Sequence, residues 1–354
     1  MKKLISLLLV LAMALTLVAC GGKTEAPAET QAAAPEAAPE AAPEAPAADV
    51  TTYDVGVAIY QYNDNFMTLY RQEIEAYFKT LETDTVKYNI TMVDSKNDMA
   101  EQTNQIDTFI NQEMDVIILN LVQTSSAEVL IDKVVDAGIP LILINREPLG
   151  ETDESYPGII NNPTVCYVGA DARQSGTYQG EIVLALDDQG DINGDGVISY
   201  VMIIGDPENP DAQYRTEFSI KALTDAGVEA KALVENVGNW DQTKGQEIAA
   251  AALAQFGDEI EVVFCNNDGM ALGAAAAIEA AGRVVGEDIY LLGVDALDEC
   301  QEMVKAGAMT GTVLNDHIGQ SHAAVDAAVA ALNGEALQNY YWVDYLKVDA
   351  AYFG

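Results

Sequence analysis

Short apolar runs alternate with amphipathic stretches of helical period from Tyr53 onward. In the first half of the chain, strands are predicted at 55–60, 88–93, 116–121 and 140–144. Helices are predicted between them, at 66–78, 99–110 and 127–137. Strands that alternate with helices in this way predict a parallel sheet with helices on both of its faces.

The same alternation starts again in the second half of the chain. Strands are predicted at 165–168, 198–204, 230–234, 261–265 and 289–294, and helices at 216–226, 243–254 and 269–281. About 300 residues exceed what one hydrophobic core normally holds, so we predict two α/β, Rossmann-like lobes with parallel-rich sheets, joined by a hinge. We assign residues 51–144 and 316–338 to the N-terminal lobe, and residues 145–315 and 339–354 to the C-terminal lobe.

The first residues have the layout of a secretory signal. Lys2 and Lys3 precede an apolar run over 4–18, which is short for a membrane span. The run ends at Cys20, and this junction resembles a bacterial lipobox, which implies removal of residues 1–19 and lipidation of Cys20. The protein would then be extracytoplasmic and lipid-anchored to the bacterial cell membrane, because two acyl chains anchor stably. An ordinary signal peptide with an incidental cysteine, or an uncleaved anchor, is the alternative.

Residues 20–50 form the predicted connection between this anchor and the lobes. From residue 23 to residue 49 the sequence contains mainly Ala, Pro, Glu and Thr, with repeated Ala-Pro-Glu units and no aromatic residue. A segment of this composition cannot build a core, so we predict a disordered tether.

The formal net charge of the whole chain is −39. Such an excess of carboxylates argues against nucleic acid and against anionic lipid surfaces as partners. The only membrane contact we expect is therefore through the lipid anchor.

Polar and aromatic residues follow the predicted strands, where open parallel sheets bind ligands. They occur at 60–66, 120, 206–211, 266–268, 295 and 315. Carboxylates and amides dominate; both accept hydrogen bonds from sugar hydroxyls, the amides also donate to them, and a neutral sugar needs no charge match. Aromatic faces can cover the C–H surfaces of a sugar ring. No serine–histidine or cysteine–histidine set accompanies them, so this chemistry favours a binding protein over an enzyme.

At these positions the chain resembles the galactose/glucose-binding proteins of bacterial ABC uptake systems, which belong to the type I periplasmic binding proteins. The resemblance covers nearly all of 53–332. Its specific stretches are 60–66, 94–98, 120–122, 145–148, 266–268, 293–296 and 311–316.

The resemblance implies a binding site residue by residue. Phe66 and Trp240 would cover the two faces of the ring. Seven further residues would supply polar contacts: Asp64, Asn120, Asp211, Arg215, Asn267, Asp295 and Asn315. Asn209 stands where the family has histidine, and we expect it to bond a ring hydroxyl. The implied ligand is glucose or galactose, and the implied partner of the expected monomer is an ABC permease, with a chemoreceptor as an open second partner.

Three of these positions have a plainer interpretation. Asp64 could simply cap the helix that follows it. Phe66 could be a core aromatic, and Arg215 could be an exposed helical residue.

Residues 191–199 match a calcium-binding loop. The candidate ligands within the loop are Asp191, Asn193, Asp195, Val197 (through its carbonyl) and Ser199. The twelfth position holds Met202 in place of a bidentate glutamate, and the family resemblance supplies Glu261 instead. The expected ion is a structural Ca²⁺, and an ion-free Asp/Asn/Gly turn is the alternative.

Three other functions compete with glucose or galactose capture. The first is binding of a different monosaccharide, such as another aldose or a furanose. The second is a secreted glycosidase, which would need a carboxyl pair drawn from Asp64, Asp211 and Asp295. The third is a two-lobed transcriptional regulator, which would need a basic helix-turn-helix where this chain has a signal and an acidic tether.

Overall fold

The computed structural model describes residues 49–150 and 155–354. The predicted signal, Cys20 and all but the last two residues of the predicted tether lie outside the described residues. Within those two ranges, no helix is long and apolar enough to cross a membrane.

The described residues form twelve strands and ten α-helices. The strands are β1 (Thr51–Ile59), β2 (Val86–Asp94), β3 (Val116–Leu119), β4 (Leu141–Ile144), β5 (Val165–Gly169), β6 (Val197–Ile204), β7 (Glu229–Val237), β8 (Val262–Cys265), β9 (Tyr290–Leu292), β10 (Thr312–Leu314), β11 (Tyr340–Trp342) and β12 (Leu346–Val348). The helices are α1 (Asn65–Leu81), α2 (Met99–Asn111), α3 (Ala127–Asp136), α4 (Pro157–Ile160), α5 (Ala172–Leu184), α6 (Pro210–Asp225), α7 (Gln242–Phe256), α8 (Asp268–Ala280), α9 (Asp298–Ala306) and α10 (His317–Leu332).

The first sheet has six parallel strands in the order β11-β5-β4-β3-β1-β2. Every residue of β3 and β4 is buried, because helices cover both faces of the sheet centre. On β4, Ile142 and Ile144 pack against α1 and α10, whereas Leu141 and Leu143 pack against α2 and α3. This alternation places one hydrophobic core on each face of the sheet.

The second sheet has four parallel strands in the order β7-β6-β8-β9. Its two faces are packed in the same alternating way. On β8, Val263 and Cys265 belong to one core and Val262 and Phe264 to the other. Strands β10 and β12 pair antiparallel beside this sheet. The predicted fold class, two α/β lobes with parallel sheets, is confirmed.

The predicted lobe boundaries are wrong at two places. Strand β5 pairs with β4, and β11 pairs with β5, so both strands belong to the first sheet and not to the C-terminal lobe. The chain therefore passes to the second lobe after Gly169, not at residue 145. The apolar run of β5 is compatible with either sheet, and only its pairing decides between them.

Candidate ligand-binding cleft

A cavity lies between the two lobes, beyond the carboxyl ends of the parallel strands. It encloses about 310 Å³ that protein atoms do not fill, part of it open to solvent. This inner cavity is lined by Tyr60, Asp64, Phe66, Met67, Asn145, Arg146, Asn209, Asp211, Arg215, Trp240, Asn267, Asp295 and Asn315. Nine of the ten predicted ligand-binding residues are among them, and the exception is Asn120.

The two predicted aromatic residues, Phe66 and Trp240, reach the inner cavity from opposite lobes. Phe66 lies in the first turn of α1 and is almost fully buried, with its ring edge-to-face against Tyr70. Trp240 lies in the loop between β7 and α7, with a left-handed φ of 66°. Its indole packs on Gly205, where an added Cβ would lie 2.1 Å from the ring. Glycine at residue 205 is therefore required for the position of the indole.

Asp64 both caps a helix and lines the inner cavity. Its Oδ1 accepts from the Met67 amide at 2.7 Å, which caps α1. Its Oδ2 accepts from the Tyr60 hydroxyl at 2.6 Å. The capping interpretation and the ligand interpretation are thus compatible at this residue.

Asn120 lies behind the cavity wall. Its Nδ2 donates to Asn145 Oδ1 at 3.2 Å and to the carbonyl of Ile144, and its Oδ1 accepts from the Tyr60 amide. Asn120 does not line the inner cavity, so the structure gives it a positioning role, and its direct contact with a ligand stays a prediction. It holds Tyr60 and Asn145, which do line the cavity.

An ion pair anchors the second-lobe wall. Arg215 Nη2 donates to Asp211 Oδ2 at 3.1 Å and to the Tyr345 hydroxyl at 3.0 Å. Arg215 Nη1 donates to the carbonyl of Asn266, whereas Nε has no partner among the described residues. Burial raises the pKa of Asp211, and Arg215 opposes that rise. Arg215 is buried at the cavity, so it is not an exposed helical residue.

Asp295 is the most strained residue at the inner cavity. Its φ is 123°, and its Oδ1 accepts from Asn315 Nδ2 at 3.2 Å. Asn315 is held in turn by Gln320. Burial raises the pKa of Asp295 well above its usual range, and Arg215 acts in the opposite direction. A non-glycine residue in this region of φ is costly and typically persists where function requires it.

Two asparagines present their side-chain amides from helix N-termini. Asn209 Oδ1 caps α6 by accepting from the Asp211 amide at 3.0 Å. Asn267 Oδ1 caps α8 through the Met270 amide. Each oxygen keeps a second lone pair and each Nδ2 keeps at least one N–H for a ligand, although Asn267 Nδ2 also donates to the carbonyl of Trp240 at 3.4 Å.

Sequence reasoning missed the role of Arg146. Its guanidinium stacks on the Tyr60 ring at 3.8 Å, and its Nη1 donates to the carbonyl of Val122 at 2.6 Å. The same Nη1 reaches Asp206 Oδ2 of the other lobe at 3.0 Å. Nε and Nη2 are buried with no partner in the described residues, so they can donate to a ligand. Arg146 lies in one of the stretches that carry the family resemblance, and that stretch was the available signal.

Comparison with known proteins identifies the family. Residues 55–336 match the model of the periplasmic binding protein domain. The chain belongs to this family. Its relatives are solute-binding proteins, so the periplasmic binding protein described here is a binding protein and not an enzyme, and the family is extracytoplasmic.

Three similar proteins are informative. The D-galactose/methyl-galactoside binding periplasmic protein MglB of Haemophilus influenzae is 33% identical over 80% of this chain and 82% of its own length. A putative rhizopine-binding protein of Rhizobium meliloti is 32% identical over 84% of this chain and 90% of its own length. An ABC transporter solute binding protein from Bacillus halodurans, solved with bound myo-inositol, superposes with a TM-score of 0.73 at 29% identity, covering 86% of this chain and 96% of its own.

The predicted metal loop of this periplasmic binding protein lies against Glu261. Glu261 Oε1 accepts from the Asn193 amide at 3.0 Å, and Oε2 accepts from the Ser199 amide at 2.8 Å. Asp191 accepts from three amides of the loop, those of residues 194–196. The donor set consists of oxygens, which suits Ca²⁺. Within the described ranges, however, no three His, Cys, Asp or Glu side chains meet closely enough to hold an ion, and a bound ion stays a prediction.

Proposed function

We propose that this protein captures a neutral hexose, glucose or galactose, by closing its two lobes around the ring and presents the closed form to an ABC permease. The observation that carries the proposal is the meeting of three aromatic residues, two from the first lobe and one from the second, with three carboxylates and two guanidiniums in one cavity between the lobes. Both guanidiniums are paired with carboxylates, so the cavity favours a neutral ligand with many hydroxyls. A monomeric state and a chemoreceptor as a second partner belong to the same proposal.

A cyclitol is the second candidate ligand. The structural neighbour from Bacillus halodurans was solved with myo-inositol, and the curated relatives bear names for galactose and rhizopine binding. Asn209 stands where the family has histidine, and this difference weakens the inference from the family's ligand, a hexose, to the ligand of this protein. A cyclitol ring presents hydroxyls to the same carboxylates and amides but has no ring oxygen.

Titration calorimetry against a panel of ligands tests the proposal. The panel contains glucose, galactose, another aldohexose, a pentose and myo-inositol. We expect glucose or galactose to bind most tightly. Tighter binding of myo-inositol would replace the hexose assignment by the cyclitol, and no binding of any member would remove the proposed function.

The lipid anchor is proposed on the sequence of the first 22 residues. We expect Cys20 to carry the diacylglyceryl group after removal of residues 1–19. Expression in a bacterial host with labelled fatty acid tests this, because Cys20→Ala should abolish the label and release the protein from the membrane fraction. Equal labelling of parent and variant would rule out lipidation at Cys20.

A further inference from the structure

Tyr345 connects the C-terminal segment of the chain to the ligand-binding cleft. It lies between β11 of the first sheet and β12 of the second lobe, where the chain crosses from one lobe to the other. Its ring is 1% exposed and packs in one of the two cores of the second lobe. Its backbone amide donates to Gln174 Oε1 of α5 at 2.7 Å. Tyr345 is therefore fixed on the second lobe, although the predicted ligand residues end at Asn315.

The hydroxyl of Tyr345 reaches Arg215, which lines the inner cavity. Arg215 Nη2 donates to this hydroxyl at 3.0 Å and to Asp211 Oδ2 at 3.1 Å. Arg215 Nη1 donates to the carbonyl of Asn266 at 2.8 Å. Because a guanidinium is planar and rigid, acceptors from three separate parts of the chain fix its orientation as well as its position.

The ion pair between Arg215 and Asp211 is held open. A buried arginine and carboxylate frequently form two parallel hydrogen bonds, from two nitrogens to both oxygens. Here a single hydrogen bond joins the two side chains, and both are almost fully buried. Nη2 also donates to the Tyr345 hydroxyl, and Nη1 is directed away to Asn266. Tyr345 therefore opposes rotation of the guanidinium into a two-bond contact with Asp211.

The open pair leaves one donor and one acceptor for a ligand. In the part of the chain that the structure describes, Arg215 Nε has no hydrogen-bond partner, and Asp211 accepts only through Oδ2. A buried N–H without an acceptor is costly, so a ligand oxygen at Nε would stabilise the complex. A hydroxyl can accept from Nε and donate to Oδ1 at the same time. A two-bond contact within the pair would occupy both atoms and exclude that hydroxyl.

The position of Arg215 is also coupled to the indole that is predicted to cover the sugar ring. Arg215 Cζ lies 5.6 Å from the centre of the Trp240 ring and 5.9 Å from the centre of the Tyr345 ring. A guanidinium at this distance is attracted to the π electrons of an indole. Movement of Arg215 should therefore change the fluorescence of Trp240, even in the absence of ligand.

We propose that Tyr345 is a positioning residue for ligand binding: its hydroxyl keeps the ion pair open, so that Arg215 Nε and Asp211 Oδ1 bind one hydroxyl of the ligand. The inference rests on the proposed function, because it requires a hydroxylated ligand in the inner cavity. The plainer interpretation is a core tyrosine whose hydroxyl merely finds a partner, and that interpretation predicts no specific effect on ligand affinity.

The variant Tyr345→Phe tests this role, because it removes the hydroxyl and keeps the ring. The ligand is the tightest-binding member of the calorimetry panel. We expect its affinity to fall by about 3- to 30-fold, since Arg215 can then rotate onto Asp211 Oδ1 and compete with the ligand.

Tyr200→Phe is the matched control. Tyr200 packs in the same core as Tyr345, and its hydroxyl is bonded to Glu235 Oε1 at 3.0 Å. Neither Tyr200 nor Glu235 lines the inner cavity. We expect this variant to bind the ligand as tightly as the parent, and urea unfolding shows whether both variants are folded under the conditions of the assay.

A measurement without ligand separates positioning of Arg215 from a general loss of packing. In the Trp342→Phe background, Trp240 is the one remaining tryptophan. We expect Tyr345→Phe to shift the emission of the unliganded protein, whereas Tyr200→Phe should leave it unchanged. A tyrosine with a role only in the core would not move this signal selectively.

The possible outcomes distinguish this proposal from the proposed function. If a ligand binds the parent and Tyr345→Phe equally well, the proposed function stands and the positioning role is wrong. The role is also wrong if Tyr200→Phe loses as much affinity, or if Tyr345→Phe leaves the emission of Trp240 unchanged. If no panel member binds, the proposed function fails, and the emission of Trp240 alone decides whether Tyr345 holds Arg215 in place.

Discussion

At the residue scale, the same side chains of the cleft begin helices and line the inner cavity. Asp64, Asn209 and Asn267 each follow a strand end and each cap the next helix. In a parallel sheet the helix N-termini at the carboxyl edge surround the ligand site, so capping and ligand contact select the same positions and the same residue types. Sequence alone could not separate the two roles, because each of these side chains both caps a helix and lines the inner cavity.

Trp240 offers an optical test of the inner cavity. The chain has two tryptophans, and Trp342 lies on β11 against Tyr340, outside the inner cavity. We expect ligand to change the fluorescence of the parent and of Trp342→Phe, but not that of Trp240→Phe. Trp240→Ala should weaken binding by about 1–3 kcal/mol in calorimetry, the effect of a lost buried aromatic contact. A ligand signal that disappears in Trp342→Phe instead would place the ring elsewhere.

Asp268, one layer behind the inner cavity, should make stability depend on pH. Its oxygens accept from the Thr312 hydroxyl and the Leu297 amide, and burial raises the pKa of its carboxyl to about 6. The unfolded group titrates near pH 3.9, so the folded state binds the proton more tightly and the contribution of Asp268 to stability falls as pH rises through about 4–6. Asp268→Asn cannot ionise. The stability of the variant relative to the parent should therefore increase by about 1 kcal/mol from pH 5 to pH 7.5.

Urea unfolding of both proteins at the two pH values measures this difference. Asn alters the bond to Thr312, but that change adds a constant offset that does not vary with pH. A gap between variant and parent that is equal at pH 5 and pH 7.5 would show that Asp268 does not titrate in this range.

At the element scale, periodicity located the long central elements well and the ends and edges poorly. Helix α2 was predicted at 99–110 and is found at Met99–Asn111. Helix α6 begins at Pro210, six residues before its predicted start, although Asn209 followed by proline is a recognised start signal. The three-residue strands β10, β11 and β12 escaped prediction, because a run so short has no period and is fixed by its pairing partner.

The loop at 191–199 is the element whose proposed ion can be tested by removal. We expect a chelator to lower the melting temperature of the parent protein, because the ion would tie the loop to Glu261 at the start of β8. Glu261 also accepts from two loop amides, so Glu261→Gln should destabilise the protein even without an ion. The informative readout is therefore the chelator effect, which should be present in the parent and absent in Glu261→Gln. A parent that melts at the same temperature with and without chelator would contradict the ion.

At the scale of the whole molecule, the sequence predicts two lobes and the chemistry between them, but not how the chain divides. Sheet membership of β5 and β11 depends on pairing between segments far apart in the chain, such as Tyr340 with Tyr167, and no local pattern reports it. The contact of Arg146 with Asp206 is likewise invisible in the sequence, since the residues lie 60 positions apart and on different lobes. Both features decide how the lobes are joined.

The Arg146–Asp206 contact should stabilise the closed form. Val122 and the Tyr60 ring hold Arg146 on the first lobe, so opening the cleft separates Asp206 from a guanidinium that stays in place. Asp206→Asn keeps the shape of the side chain and removes its charge. Since Asp206 is partly exposed, we expect the closed form to lose about 0.5–1.5 kcal/mol, and ligand affinity to fall by about 2- to 10-fold as the competent population shrinks. Calorimetry measures the affinity, and X-ray scattering of the unliganded protein should show a larger radius of gyration for the variant.

Glu208→Gln is the matched control, because it also removes one negative charge from this loop, while only the backbone carbonyl of Glu208 reaches the other lobe. If the two variants bind ligand equally and scatter alike, Asp206 does not hold the lobes together, and closure must depend on the ligand itself.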